Sequence, residues 1–216
     1  MQVLFTIYLF ILGINALYGL VCFKKLTSPF RILVLLLIFL FLMECSTHFI
    51  LPKFFKNILP FYHFIALIIL SVSPFIFIQL VQFSQRIKRW IIGLALLCFS
   101  FALYNTFIYQ GLTVFPSFSI AAQAFLSIFL ALVTFKVMLE KPSQTPLLQE
   151  ATFWLTLGTL FFHCITFVLF VFYNEYYDYN RELIFWTFSI NVVSNLLLYS
   201  TYLIAIYLNQ KTFHER

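Results

Sequence analysis

Seven residues carry most of the chemistry this sequence could perform: Glu44, His48, His63, Asn105, His163, Asn191 and Asn195. Glu44 is the one formal charge in the apolar run from Arg31 to Leu51 once Arg31 itself is set aside. A carboxylate among Leu, Ile and Phe must be neutralised, paired or wet. It offers either a ligand, proton or metal site, or a hydrogen bond that fixes one helix against another. His48 follows four residues later, on the same helix face. That Glu-x-x-x-His spacing serves a metal pair or a plain intrahelical hydrogen bond, and a position near the outer interface, where a wet His costs little, favours the plain reading. His63 and His163 stand in separate apolar runs. Asn191 and Asn195 share a face at i, i+4 spacing.

The elements that hold these residues follow from composition. Of 216 residues, 13 are Lys or Arg and 7 are Asp or Glu, so 9% are charged, against roughly 25% in a soluble domain. Hydrophobic residues make up 63%, and the mean hydropathy is +1.00. A soluble fold of this length buries only about 70% of its chain surface and could not hide so much apolar area. Disorder needs the opposite composition. The solvent for this chain is a lipid bilayer.

Charge-free runs then give seven spans, since a helix needs about 20 apolar residues to cross. They cover about 1–23, 31–51, 57–85, 90–109, 117–138, 151–173 and 183–208. The 46-residue run from Trp90 to Phe135 is divided at Gln110-Gly111 and Pro116. The expected fold is an all-α, seven-transmembrane helix bundle forming a single domain, because lipid leaves no partner for free backbone groups. With the N-terminus out and the C-terminus in, the inner side holds Lys24, Lys25, Arg31, Arg86, Lys88, Arg89, Lys136, Lys141, Lys211 and Arg216. The outer side holds Lys53, Lys56 and Arg181. This split of ten to three follows the positive-inside rule. It accounts for the net charge of +6 without nucleic acid, for which there is no basic face. The first span lacks a basic leading region and reads as retained rather than as a cleaved signal. The acidic, Tyr-rich stretch from Asn174 to Asn180 suits an outer interface.

The depths of six of these residues converge toward the outer side, with Asn195 near the midplane. Glu44 lies 13 residues beyond Arg31, about 20 Å along a helix. His163 lies about 18 Å into span six, near the midplane. Glu44, His48, His63, Asn105, His163 and Asn191 would line one cavity open to the outside if the helices turn them inward, with Asn195 deeper. A purely structural network is the competing reading. The four cysteines form no CxxC pair and read as packing residues. The 31 Phe and 12 Tyr read as lipid-facing and packing rings rather than a cofactor cage.

Other chemistries leave weaker marks. Three His and one Glu suffice for a catalytic zinc, and Ser46-x-His48 is a faint echo of the seven-span hydrolases of the ceramidase and adiponectin-receptor kind. Those enzymes also need a paired His in span seven, which is missing here, and no HExxH or HxxxH motif occurs. A retinal protein would need a Lys within span seven, and Lys211 lies beyond it. Haem ligation by a His pair lacks an attachment motif. A transporter or channel would show helices broken at midplane, yet Pro74 is the only mid-span proline. No cofactor is assigned.

A further set of residues carries a resemblance. Tyr109-Gln110-Gly111-Leu112-Thr113-Val114-Phe115-Pro116-Ser117-Phe118-Ser119, then Pro146-Leu147-Leu148, Phe153-Trp154 and Gly158, together with Glu44 and the Asn57 to Tyr62 start of span three, form the pattern. It resembles an uncharacterised family of small bacterial seven-span proteins. That family is similar to the seven-helix input regions that precede some sensor histidine kinases. Phe162-His163-Cys164 departs from the Tyr-rich stretch of the pattern. The resemblance implies a non-enzymatic sensory or accessory signalling role in the bacterial inner membrane. No output domain is read in the sequence, so a separate signalling partner would meet the inner segments at Arg86-Lys88-Arg89 or Pro142 to Pro146.

Overall fold

A computed structural model describes residues 2–142, 145–173 and 181–214. All regular structure among them is helical. The elements are α1 (Gln2–Cys22), α2 (Ser28–Cys45), α3 (Leu51–Phe54), α4 (Leu59–Leu80), α5 (Gln85–Tyr104), α6 (Ser117–Glu140), α7 (Ala151–Val171) and α8 (Arg181–His214). Short 3₁₀ turns cover Phe23–Lys25 and Leu147–Gln149. Seven helical stretches among the described residues are long and apolar enough to cross a membrane.

Local sequence explains the boundaries. Pro29, Pro52 and Pro60 sit in the first turns of α2, α3 and α4, where the missing N–H has no helical partner to lose. The third span stops at Leu80, five residues before the expected Gln85. Val81 is extended there, and the Ser84 side chain accepts from Ile87 N at 3.4 Å to start α5. Arg86, Lys88 and Arg89 therefore lie in the opening turns of a helix and not in a loop.

Two features were not legible in the spacing. The second and fourth spans each end in a π-helical turn, Ser46–Ile50 and Asn105–Tyr109. Each π turn carries a buried threonine at its second position, Thr47 and Thr106. Gly111 then turns the chain with φ +72°, a conformation glycine adopts without a Cβ penalty.

The helices close into a ring in which α1 packs on α2 and α8, α2 on α4, α4 on α6, α6 on α7 and α7 on α8. α5 leans on α4 and α6 from outside that ring. Small residues let the seams close, as is usual between helices in lipid. Gly19 has no room for a Cβ against Val34, nor does Gly158 against Thr201. Large apolar side chains such as Phe10, Phe64, Phe75, Leu97 and Phe161 face outward, as a bilayer requires.

The alternating path of the helices sorts the basic residues. Lys24, Lys25, Arg31, Arg86, Lys88, Arg89, Lys136, Lys141 and Lys211 lie at one end, called here the basic end. Lys53 and Lys56 lie at the other. The basic end is laced by hydrogen bonds. Tyr18 Oη and Cys22 Sγ donate to Gln210 Oε1 at 2.8 and 3.0 Å. Thr27 N donates to Asn209 Oδ1 at 3.0 Å, and Ser28 Oγ to Gln79 Oε1 at 2.8 Å. The 174–180 stretch, the Arg181 side chain and residues 143–144 lie outside the described residues.

Candidate functional site

The residues singled out by sequence have distinct immediate partners. They fall into separate groups, held by different elements.

His63 is 1% exposed and belongs to a knot at the end opposite the basic one. Its Nε2 lies 3.0 Å from Val114 O, and its Nδ1 lies 2.9 Å from Thr106 Oγ1. A carbonyl can only accept, so Nε2–H donates, and the neutral ring accepts at Nδ1 from the Thr106 hydroxyl. Asn105 joins the same knot, donating from Nδ2 to Gln110 Oε1 at 2.7 Å and to Ser119 Oγ at 2.9 Å. Gln110 Nε2 donates to Ser117 Oγ at 2.9 Å. Both ring nitrogens of His63 are thus engaged in tying α4 to the second π turn and the 110–116 segment. His63 and Asn105 act here as staples.

Glu44 has a different environment from the expected one. Its side-chain partner is the Tyr8 hydroxyl on α1. Tyr8 in turn meets Tyr199 of α8, with ring centroids 5.8 Å apart. Tyr62 of α4 also faces Glu44, and it pairs with Thr47 of the first π turn. Tyr8 and Tyr199 are both 5% exposed. The phenol series continues along α8, where the Tyr199 and Tyr202 rings are 6.3 Å apart. Tyr202 Oη and Thr159 Oγ1 are 2.9 Å apart. Thr159 already donates to Leu155 O at 2.8 Å, so Tyr202 is the donor between them. The half-buried Glu44 carboxyl thus bonds to one phenol, Tyr8, and interacts electrostatically with two more, Tyr62 and Tyr199, from two further helices.

His48 does not pair with Glu44. Its ring lies on Phe5 at 4.5 Å and on Phe49 at 4.7 Å, and it is exposed. The π turn that begins at Ser46 separates the two residues of the expected pair.

His163 is 6% exposed on α7 and its Nδ1 has no hydrogen-bond partner. Ring contacts set the register around it. Phe125 meets Phe167 and Phe135 meets Phe153 between α6 and α7. Thr159 meets Tyr202 and Tyr173 meets Phe188 between α7 and α8. That register brings Ser127 level with His163, and Asn195 level with Thr166. Ser127 Oγ, Thr166 Oγ1 and Asn191 Oδ1 are buried without partners as well. Asn195 Nδ2 donates to Asn191 O at 3.0 Å, within its own helix. Above this level Phe115 packs on Phe170, Tyr173 and Phe188 at 5.5, 5.0 and 5.9 Å.

Among the described residues no three His, Cys, Asp or Glu side chains are grouped to share a metal ion. The ligand set of a zinc hydrolase, Glu44 with the histidines, is not assembled. The important residues that sequence reading passed over are Tyr8, Tyr62, Tyr199 and the fully buried Asn15, whose Nδ2 donates to Ile11 O at 2.9 Å. For Tyr8, Asn15 and Tyr199 the signal was a phenol or amide well inside a span, whereas Tyr62 lies near the start of α4 and gave none. A buried hydroxyl needs a partner, whereas a Tyr at a membrane boundary does not.

The chain matches no protein-family profile, no curated protein and no solved structure. What the fold defines, among the described residues, is a bundle with seven helices long and apolar enough to span a membrane.

Proposed function

We propose that this is a non-enzymatic multi-pass membrane protein that senses a small ligand or a proton at Glu44 and passes the change to a signalling partner. The observation that carries this reading is the coupling of the Glu44 carboxyl to three phenols, by a hydrogen bond to Tyr8 and electrostatically to Tyr62 and Tyr199. These residues come from α1, α4 and α8, so a change in charge or occupancy at one carboxyl acts on four helices at once. A ligand shifts a conformational equilibrium only by its differential affinity for the two states. A carboxyl hydrogen-bonded to Tyr8 across the α1–α2 seam, with Tyr62 and Tyr199 close enough to feel its charge, supplies such a difference. The π turn two residues beyond Glu44 is a local departure from α geometry of the kind often found at functional positions.

In this reading the N-terminus faces out, the basic end faces the cytoplasm, and the protein resides in a bacterial inner membrane. The ten-to-three distribution of basic residues supports the orientation. The resemblance to kinase input regions supports the signalling role. The partner would dock at the basic end. The test is reconstitution in nanodiscs with the fluorescence or infrared signature of the tyrosines followed through a pH titration and a ligand screen. A response that Glu44→Gln removes supports sensing. Flux of solute into liposomes that depends on Glu44 would instead make the protein a transporter.

A further inference from the structure

The basic end holds two kinds of arginine. Arg31 is consumed by the fold, with Nε donating to Phe23 O at 3.2 Å and Nη2 to Lys24 O at 3.0 Å. Arg86 and Arg89 are exposed and make no hydrogen bond or ion pair among the described residues. They stand three residues apart on one face of α5, with Trp90 beside them and Gly93 one turn further along. Together with Gln85 these residues line an open concavity of about 650 Å³. A Cβ placed on Gly93 would meet nothing within 4 Å, so the floor of the concavity is open. Trp90 is 67% exposed.

The chemistry of this surface is specific in two respects. A guanidinium presents a planar fork that matches phosphate oxygens. An exposed indole at the end of a membrane span sits where headgroups meet acyl chains. No acidic side chain lines the concavity, and Glu140, an acid of the same end, is already paired with Lys136 at 3.7 Å. α5 is also the helix outside the ring, so lipid reaches this face directly.

We infer that Arg86 and Arg89 form a binding site for the phosphate of an anionic phospholipid, with Trp90 and Gly93 receiving its glycerol and upper chain region. The site is independent of the Glu44 reading. It tethers α5, the helix that leans on the ring from outside, to one leaflet at the basic end.

The experiment uses the full chain purified in detergent and titrated with phosphatidylglycerol or phosphatidylcholine, with bound lipid counted by native mass spectrometry. Phosphatidylglycerol should be retained in preference to phosphatidylcholine. An Arg86→Gln/Arg89→Gln variant should weaken that retention about 25-fold, at roughly fivefold for each basic residue near an anionic surface. A Lys53→Gln/Lys56→Gln variant, with the same loss of charge at the opposite end, should leave it unchanged. Both arginines are exposed, so the melting temperature of the double variant in lipid-free detergent should match the parent and exclude misfolding. Equal retention of the two lipids, or retention unaffected by the arginine variant, would overturn the inference. Competition by millimolar inorganic phosphate as strong as that by the lipid would make this a soluble-anion site instead and overturn it too.

Discussion

Tyr8 and Tyr199 meet with ring centroids 5.8 Å apart across the α1–α8 seam, and Tyr8 is also the side-chain partner of Glu44 on α2. Three helices are joined at one point. Interhelical polar contacts in membranes contribute about 0.6 kcal/mol on average and up to about 1.7. A double-mutant cycle of Tyr8→Phe with Glu44→Gln should give a coupling within that range, read from reversible unfolding in mixed micelles. Additive effects of the two changes would show that the residues do not interact.

The His63 knot gives a larger and purely structural effect. His63→Ala leaves the Thr106 hydroxyl and Val114 O without their buried partner, and an unsatisfied buried group costs about 1–3 kcal/mol. The variant should unfold at a lower temperature, and cleavage of the 110–116 segment by protease should accelerate. Signalling or ligand response at Glu44 should persist at temperatures where the variant stays folded.

Gly158 and Thr201 define how closely α7 and α8 approach. Gly158→Ala should destabilise the bundle by about 1–3 kcal/mol, the usual range for overpacking. Combining it with Thr201→Gly should recover part of that loss, because the clash is with the Thr201 side chain. Thermal denaturation of the single and double variants decides it.

The thiols report packing and topology together. Cys164 is exposed on the outer surface of the bundle, whereas Cys22 and Cys98 are buried. In detergent, a small maleimide should label Cys164 much faster than either of the others. Reporter fusions after Arg89 and after Asn180 should in turn read cytoplasmic and external. The reverse pattern would invert the orientation.

Much of this architecture was legible from residue types alone. Long apolar runs with few charges located all seven helices that are long and apolar enough to cross a membrane among the described residues, because the scarcity of charge that keeps a helix in lipid also marks its length. The expected grouping of Glu44, His48 and His63 was not legible in its details. Helix rotation and the two π turns decide which side chains face each other, and neither leaves a spacing signal. His48 shows the consequence, since i, i+4 geometry holds only while the helix stays α, and the π turn begins at Ser46. Tyr8 shows the converse. It lies in a span with no charge at all, and the one hint of its role is a phenol well inside the span, which needs a partner once buried.

The central claim is that Glu44 acts as a switch and not only as packing. Pulsed electron paramagnetic resonance between spin labels at the basic ends of α2 and α8, in nanodiscs titrated from about pH 4 to about pH 9, spans the range in which a carboxyl environment can report itself. The account predicts a change in the inter-label distance distribution that Glu44→Gln abolishes while the variant remains folded. Distances that stay constant in the parent protein, or that change equally in Glu44→Gln, would contradict it.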